Sequence, residues 1–299
     1  MNANRRKFLS AIGASSVVGA IAVGKANAQS TESAQSRPSQ PVSSGSTIPA
    51  NRELTGKAAI ITGARNNLGR GYAVALARNG ADVVVHYHRE VTRDQAEETA
   101  RLVQQQGTRA HLVSGDLSQL ANIRRLFDEA TQAFGKVDIV VHNAGRSVKK
   151  PLAEVTEAEY DRAAGINSKG AFFINQEAVR RIADEGRIIN VVSSLLAANI
   201  PNYSAYAGTK AAMEQFTRAL AKEIDWKRNI TVNSIAPGPI DTPFYRTGLT
   251  PEDIERGTQL VGRLGVIDDI VPLIEFLASP RSRWVNGQTI FINGGYVTR

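Results

Sequence analysis

The chain has 299 residues, of which 42% are hydrophobic and 6% aromatic, with 25 glycines. That is enough to bury one large α/β core, and the glycine frequency suits many tight strand-to-helix turns better than a sandwich or a disordered chain. Cysteine is absent, which excludes disulfides, thiol catalysis and Cys-ligated zinc; half of the +8 net charge comes from Arg5, Arg6, Lys7 and Lys25, and the other bases are scattered among acids, so no nucleic-acid partner is expected.

The chain opens with Asn4-Arg5-Arg6-Lys7-Phe8-Leu9-Ser10, an uncharged and mildly apolar run to Gly24, then Ala26-Asn27-Ala28. This is the pattern of a twin-arginine export signal over residues 1–28, with the small residues placing cleavage after Ala28. A membrane anchor is the competing reading, but 17 residues with three Gly and three Ser are short and weakly apolar for a span. Export of a folded protein, to the bacterial periplasm, is therefore expected, with no stable membrane span once the signal is removed. Residues 29–53 are rich in Ser, Gln, Thr and Pro and nearly empty of large apolar side chains, so they read as a disordered linker.

From Leu54 to Arg299 short Val- and Ile-rich runs alternate with amphipathic stretches. Strands are expected at Ala58 to Thr62, Asp82 to Tyr87, Ala110 to Ser114, Ile139 to Asn143, Arg187 to Val192, Ile230 to Ala236 and Thr289 to Ile292. Helical periodicity covers Leu68 to Asn79, Asp94 to Gln106, Leu120 to Phe134, Glu157 to Asp184 and Ser204 to Asp225. Strand and helix in alternation imply right-handed crossovers, hence one α/β domain of the doubly wound Rossmann type, a seven-stranded parallel sheet flanked by helices. Its ligand belongs at the carboxyl ends of the strands.

After the first strand comes Thr62-Gly63-Ala64-Arg65-Asn66-Asn67-Leu68-Gly69-Arg70-Gly71, running into a helix. Glycines there let the backbone approach a pyrophosphate, and a helix N-terminus offers free N–H groups and the positive end of its dipole. Tyr206-Ala207-Gly208-Thr209-Lys210 puts a phenol and an ammonium on one helix face at i, i+4. An adjacent cation should lower the phenol pKa and make the pair a proton donor and acceptor. Alone this spacing is common on solvated helix faces. Thirteen residues upstream of Tyr206, however, a strand ends in Val192-Ser193-Ser194 and delivers hydroxyls to the same end of the sheet.

With these motifs in this order, the segment from Leu54 to Arg299 resembles the short-chain dehydrogenase/reductase family. The resemblance covers the glycine loop, Asp116-Leu117, Asn143-Ala144-Gly145, Asn167, Ser193, Tyr206, Lys210 and the Pro237-Gly238…Thr242 element. It implies a catalytic set of Ser193, Tyr206, Lys210 and Asn167. It also implies dinucleotide contacts from Gly63, Arg65, Asn67, Leu68, Gly69, His88, Arg89, Asp116, Leu117, Asn143, Ala144, Gly145, Tyr206, Lys210, Pro237, Gly238, Ile240 and Thr242. Asn67 stands at the family's middle glycine, where a left-handed backbone would suit Asn best among non-glycine residues. His142 stands where Asn is usual, and Asn293-Gly294-Gly295 replaces D-G-G.

The resemblance implies hydride exchange between nicotinamide and a carbonyl or secondary alcohol, in the ketoreductase direction with NADPH. Tyr206 would act as the general acid, Ser193 would orient the carbonyl, Lys210 would hold the nicotinamide ribose and Asn167 would hold a relay water. NADP(H) is expected over NAD(H), the alternative, because the second strand ends in His86-Tyr87-His88-Arg89 without the acid that binds a ribose 2′-hydroxyl. Arg65 could reach the same pocket. That run is similar to one in pteridine reductases, which carry Asp where this chain has Ser193, so pteridine activity is not carried over.

No histidine has metal-ligand spacing, and no metal is expected. Trp226 and Trp284 read as packing residues. Lys149-Lys150 reads either as a steering pair for an anionic substrate or as a solvated loop pair. The loop from Ile240 to Gly262, with Phe244, Tyr245 and Leu249, is expected to close over a small-molecule substrate in a modestly apolar pocket with one aromatic wall. A homotetramer is implied by the resemblance. The rival to an enzyme is a catalytically silent NADP-binding sensor or structural protein of the same fold.

Overall fold

The computed structural model describes residues 52–298. The export signal and nearly all of the linker therefore lie outside the described residues. Leu54 is buried at the start of the domain.

Seven strands form one parallel sheet: β1 (Ala58–Thr62), β2 (Asp82–Tyr87), β3 (Ala110–Ser114), β4 (Val137–His142), β5 (Ile182–Val191), β6 (Thr231–Pro237) and β7 (Thr289–Ile292). Their order is β3-β2-β1-β4-β5-β6-β7, so the order in which the chain adds strands reverses between β1 and β4. The helices are α1 (Asn67–Arg78), α2 (Arg93–Gln104), α3 (Leu120–Phe134), α4 (Glu157–Ala164), α5 (Ala171–Arg181), α6 (Leu195–Ala198), α7 (Ser204–Glu223), α8 (Pro243–Arg246), α9 (Pro251–Val261) and α10 (Ile267–Ala278).

Because successive strand residues face opposite sides, each strand feeds two cores. Ala59, Ile61, Val83, Val85, Ile139, Val141 and Ile189 pack with α1, α2 and α10 on one face. Ile60, Val84, Val140 and Ile188 pack with α3 and α5 on the other. Both faces being covered is why the strands read as unbroken apolar runs. On the first face α1 and α10 approach closely at Gly71, where a Cβ would fall 2.3 Å from Ile267 Cγ2.

The structure departs from the sequence expectation at three places. The stretch from Glu157 to Asp184 is not one helix: Gly165–Gly170 winds as a π-helix between α4 and α5, and β5 takes over at Ile182. β5 starts early because Ile182 pairs with Val137, before the register shifts between Val137 and Ile139. Helix α10 was not among the expected helices: Pro272 interrupts it, although Ile270, Val271, Ile274, Leu277 and Ala278 form its buried face. The two tryptophans are not packing residues: Trp226 is 80% and Trp284 96% exposed. No helix among the described residues is long and apolar enough to cross a membrane.

Candidate active site

The carboxyl ends of the strands open onto a cleft of about 990 Å³, lined by the ends of β1, β2, β4, β5 and β6 and by α8 and α9. Every residue expected at the site lines it except Asp116 and Asn167.

One half of the cleft is built on the glycine loop. Gly63 takes φ +66° and Asn67 φ +48°, the left-handed conformation that Asn tolerates. A Cβ on Gly69 would fall 2.2 Å from Gly63 O, so the turn exists only because that residue has none. The loop is held from beneath by Asn143, whose Nδ2 donates to Thr62 O (3.1 Å) and Gly63 O (3.3 Å). Thr62 Oγ1 accepts from both Asn143 N and Ala144 N at 3.0 Å. With both lone pairs engaged, its O–H must donate to His142 Nδ1 at 2.9 Å, which assigns His142 as the neutral Nε2–H tautomer. Burial agrees, since it pushes His142 down to about 3.

The β2 end meets the expectation of a basic, acid-free pocket. His88 and Arg89 are exposed on the cleft wall, and Arg89 makes no ion pair among the described residues. Glu90 does not serve as a substitute ribose acceptor: its carboxylate takes the Tyr87 hydroxyl at 3.1 Å and pairs with Arg93 at 3.6 Å. Arg65 lines the cleft with its guanidinium donating to Gln95 Oε1, which also accepts from Asn66 Nδ2 at 3.1 Å. Of the Asp116-Leu117 pair only Leu117 reaches the cleft; the Asp116 carboxylate accepts Ser118 N at 2.9 Å in the turn before α3. At the other end Thr242 caps α8 by accepting Tyr245 N at 3.2 Å. Gly238 passes so near Asn293 that a Cβ would fall 2.7 Å from its Cα.

The reacting groups converge where β5 ends and α7 begins. Ser193 follows β5, and its hydroxyl faces the Tyr206 phenol across the end of the cleft, both lining it. Burial pushes the Tyr206 phenol up to about 12, with the Ser193 hydroxyl acting the other way. This corrects the expectation of a lowered phenol: the Lys210 ammonium donates to Val191 O at 2.7 Å, and desolvation dominates Tyr206. Lys210 is itself brought down to about 8 by burial. Asn167, fully buried in the π-helix, accepts Arg146 N (2.9 Å) at Oδ1 and donates to Arg146 O (2.9 Å) and Thr209 Oγ1 (3.0 Å). It braces the chain behind Lys210 rather than lining the cleft. A Cβ on Gly145 would sit 3.0 Å from Lys210 Nζ and 3.2 Å from Asn167 Oδ1, so that glycine lets the two approach.

The substrate half holds residues the sequence reading missed: Arg146, Ser147, Ile200, Tyr203 and Tyr296. Tyr203 lies at the start of the same helix as Tyr206, their rings 6.4 Å apart, and that i, i+3 spacing was an available signal. Tyr296, arriving from the C-terminal segment, had none. With Phe244 and Tyr245 from α8, the aromatic wall expected from the variable loop is present, and the other tyrosines extend it. Lys149 and Lys150 are neither a steering pair nor a solvated one. Lys149 pairs with Asp253 on α9 and donates to Gly248 O at 3.3 Å, while Lys150 pairs with Glu159 at 3.1 Å. No group of three His, Cys, Asp or Glu among the described residues could hold a metal.

A switch-point cleft with a phosphate-sized glycine turn at one end and a Ser–Tyr–Lys cluster at the other defines a dinucleotide-dependent oxidoreductase. The comparisons specify it further. Residues 63–297 match the family model described as enoyl-(acyl carrier protein) reductase, of the short-chain alcohol dehydrogenase type. The chain is 43% identical over 264 residues to a hydroxynaphthalene reductase-like protein of Metarhizium guizhouense, covering 83% of this chain and 97% of that one. It is 38% identical over 260 residues to an NADPH-dependent aldehyde reductase-like protein of Arabidopsis thaliana, covering 82% and 95%. Among solved structures, a Burkholderia cenocepacia dehydrogenase with bound NADP superposes with a TM-score of 0.80 at 41% identity, covering 82% of this chain and 95% of that one. An angucycline C-6 ketoreductase with bound NADP superposes at 0.76 and 35%, covering 82% and 96%. The chain belongs to the short-chain dehydrogenase/reductase family and is an oxidoreductase acting between carbonyl and alcohol.

Proposed function

We propose that this protein is an NADPH-dependent ketoreductase, exported by the twin-arginine route, that reduces a ketone held against an aromatic wall. The observation that carries the reaction is the Tyr206–Ser193 pair: two hydroxyls converging at one end of the cleft, with the phenol kept protonated by burial. The NADP-bound relatives support the cofactor, and so do Arg89, which makes no ion pair among the described residues, and the sterically closed turn at Gly69. When bound, the dinucleotide supplies the hydride.

The residues of the chain do the rest. Ser193 orients the carbonyl oxygen, and Tyr206 donates its proton to that oxygen as negative charge develops there. Lys210, buried one helical turn from Tyr206, would hold the ribose hydroxyls and would favour the phenolate left after proton transfer. Gly63 and Gly69 let phosphate oxygens reach backbone N–H groups at the start of α1. Tyr203, Tyr245, Tyr296 and Phe244 exclude water and stack against a flat or bulky ketone, in keeping with the relative described as an angucycline C-6 ketoreductase.

The deciding assay follows NADPH oxidation with a panel of aryl and alicyclic ketones and, separately, enoyl thioesters. Ketone turnover supports the reading; turnover of enoyl thioesters alone transfers the chain to carbon–carbon double-bond reduction. Binding of NADPH without turnover of either would favour the sensor of the same fold. The export reading rests on Arg5-Arg6, the apolar run and Ala26-Asn27-Ala28. With both arginines changed to lysine the protein should stay in the cytoplasm uncut, and a parent found uncut in the cytoplasm refutes it. A homotetramer built partly on α7 completes the proposal, tested by light scattering.

A further inference from the structure

Taking the site to bind a dinucleotide, we propose that His86 is a positioning residue for it: as the neutral Nε2–H tautomer it stitches the glycine loop to the segment after β3. His86 is buried at the end of β2, the strand between β1 and β3, so both neighbouring turns lie within its reach. On one side its Nδ1 accepts Gly63 N at 3.2 Å, and its own carbonyl accepts Ala64 N at 2.8 Å. Gly63 N–H can only donate, so Nδ1 must be bare and the proton must sit on Nε2. There it donates to Gly115 O at 2.9 Å, and Gly115 N donates to Tyr87 O at 2.9 Å.

Gly63 takes φ +66° and Gly115 φ +157°, so both contacts fall where the chain turns out of its strand. The loop after Gly63 approaches the pyrophosphate; the segment after Gly115 carries Leu117 to the cleft wall. One imidazole thus spans the two backbone turns that shape the adenosine diphosphate half, and lies on the opposite side of β1 from the reacting groups at β5 and α7. A protonated ring would set an N–H against the Gly63 N–H and lose the stitch. Burial holds His86 down to about 4, against the bond to Gly115 O and the charge of Asp116, with His88 and Arg125 also favouring the neutral form.

The two ring nitrogens can be replaced one at a time. Asparagine carries an acceptor near the place of Nδ1, glutamine carries a donor near the place of Nε2, and leucine carries neither. His86→Leu should weaken NADPH binding by about tenfold or more, measured by titrating nucleotide fluorescence, because a buried N–H and a C=O lose their partners together. His86→Asn should bind within about threefold of the parent, and His86→Gln should fall between. In all three, kcat at saturating NADPH and the ketone KM should stay within about twofold of the parent, a split that general loss of structure would not give. Should the leucine variant fail to fold, the Asn–Gln order still decides the matter. Leucine at parent affinity, asparagine no better than glutamine, or a fall in kcat with unchanged NADPH affinity each overturns the role of His86. A parent that does not bind NADPH overturns the dinucleotide reading of the site itself.

Discussion

Replacing Arg89 with alanine tests the cofactor assignment at the residue where the geometry is least ambiguous. Arg89 lines the cleft wall at the end of β2, with no ion pair among the described residues, and the carboxylate next to it in sequence, Glu90, is turned to Tyr87 and Arg93. A hydrogen-bonded charge pair contributes about 1.5–3 kcal/mol, and each 1.4 kcal/mol is about tenfold in affinity. Arg89 is solvent-exposed, so water and salt screen the pair and the low end applies, about tenfold. Arg89→Ala should raise the NADPH KM about tenfold at low salt and less at high salt, leaving the NADH KM within about twofold. The assay is initial rate against each nucleotide at saturating ketone, at two ionic strengths. Equal losses for both nucleotides, a loss indifferent to salt, or a parent that works better with NADH would refute the assignment.

The catalytic and structural assignments have their own outcomes. Tyr206→Phe should lower kcat by at least about 100-fold while NADPH affinity stays within a few-fold, since the phenol serves the reacting oxygen; retention of a tenth of kcat would remove it from the mechanism. Lys149→Met breaks the contact between the loop after β4 and α9, and should raise the ketone KM a few-fold with the NADPH KM unchanged. Acid should destabilise the fold earlier than carboxylates alone would require. His86 and His142 are held down to about 4 and about 3, so below pH 6.5 the unfolded chain binds protons that the native chain refuses. Stability therefore falls as pH drops from 6.5 towards 4, by roughly 3 kcal/mol for His86 alone. Urea midpoints at pH 7, 5.5 and 4.5 measure this, and a flat profile across that window would contradict the buried neutral histidines.

What could be seen from the sequence followed how locally each feature is determined. β1 and β2 have the expected bounds because strands buried on both faces declare themselves as apolar runs; the half-buried edge strands β3 and β7 have theirs because turn residues flank them. Asn67 could be placed in the left-handed region because the loop spacing demands that conformation and few side chains accept it. The boundary at Ile182 was hidden because it depends on pairing with Val137 in another strand. The partners of Lys149 and the arrival of Tyr296 at the cleft were hidden for the same reason: they are set by α9 and by the C-terminal segment folding back. The phenol pKa was assigned the wrong direction because a neighbouring cation shows in the sequence and the depth of burial does not.

That reversal bears on the direction in which the site works. A catalyst leaves the equilibrium between ketone and alcohol untouched, but it fixes the protonation state from which each direction must start. Reduction needs a proton donor, and with Tyr206 raised to about 12 the phenol is fully protonated throughout the neutral range. Oxidation needs the same oxygen as an acceptor, and burial makes the phenolate the minor form at pH 7, a deficit that Lys210 and the bound ribose would have to offset. The Lys210 ammonium lies against Val191 O and is itself weakened to about 8, so it offers less help as pH rises. Reduction should therefore hold a flat kcat across pH 6 to 8, while oxidation of the corresponding alcohol climbs with pH until the lysine loses its proton. Measuring both limbs on one substrate pair checks this, and an oxidative rate as flat as the reductive one would show that the phenol is not the group exchanging the proton.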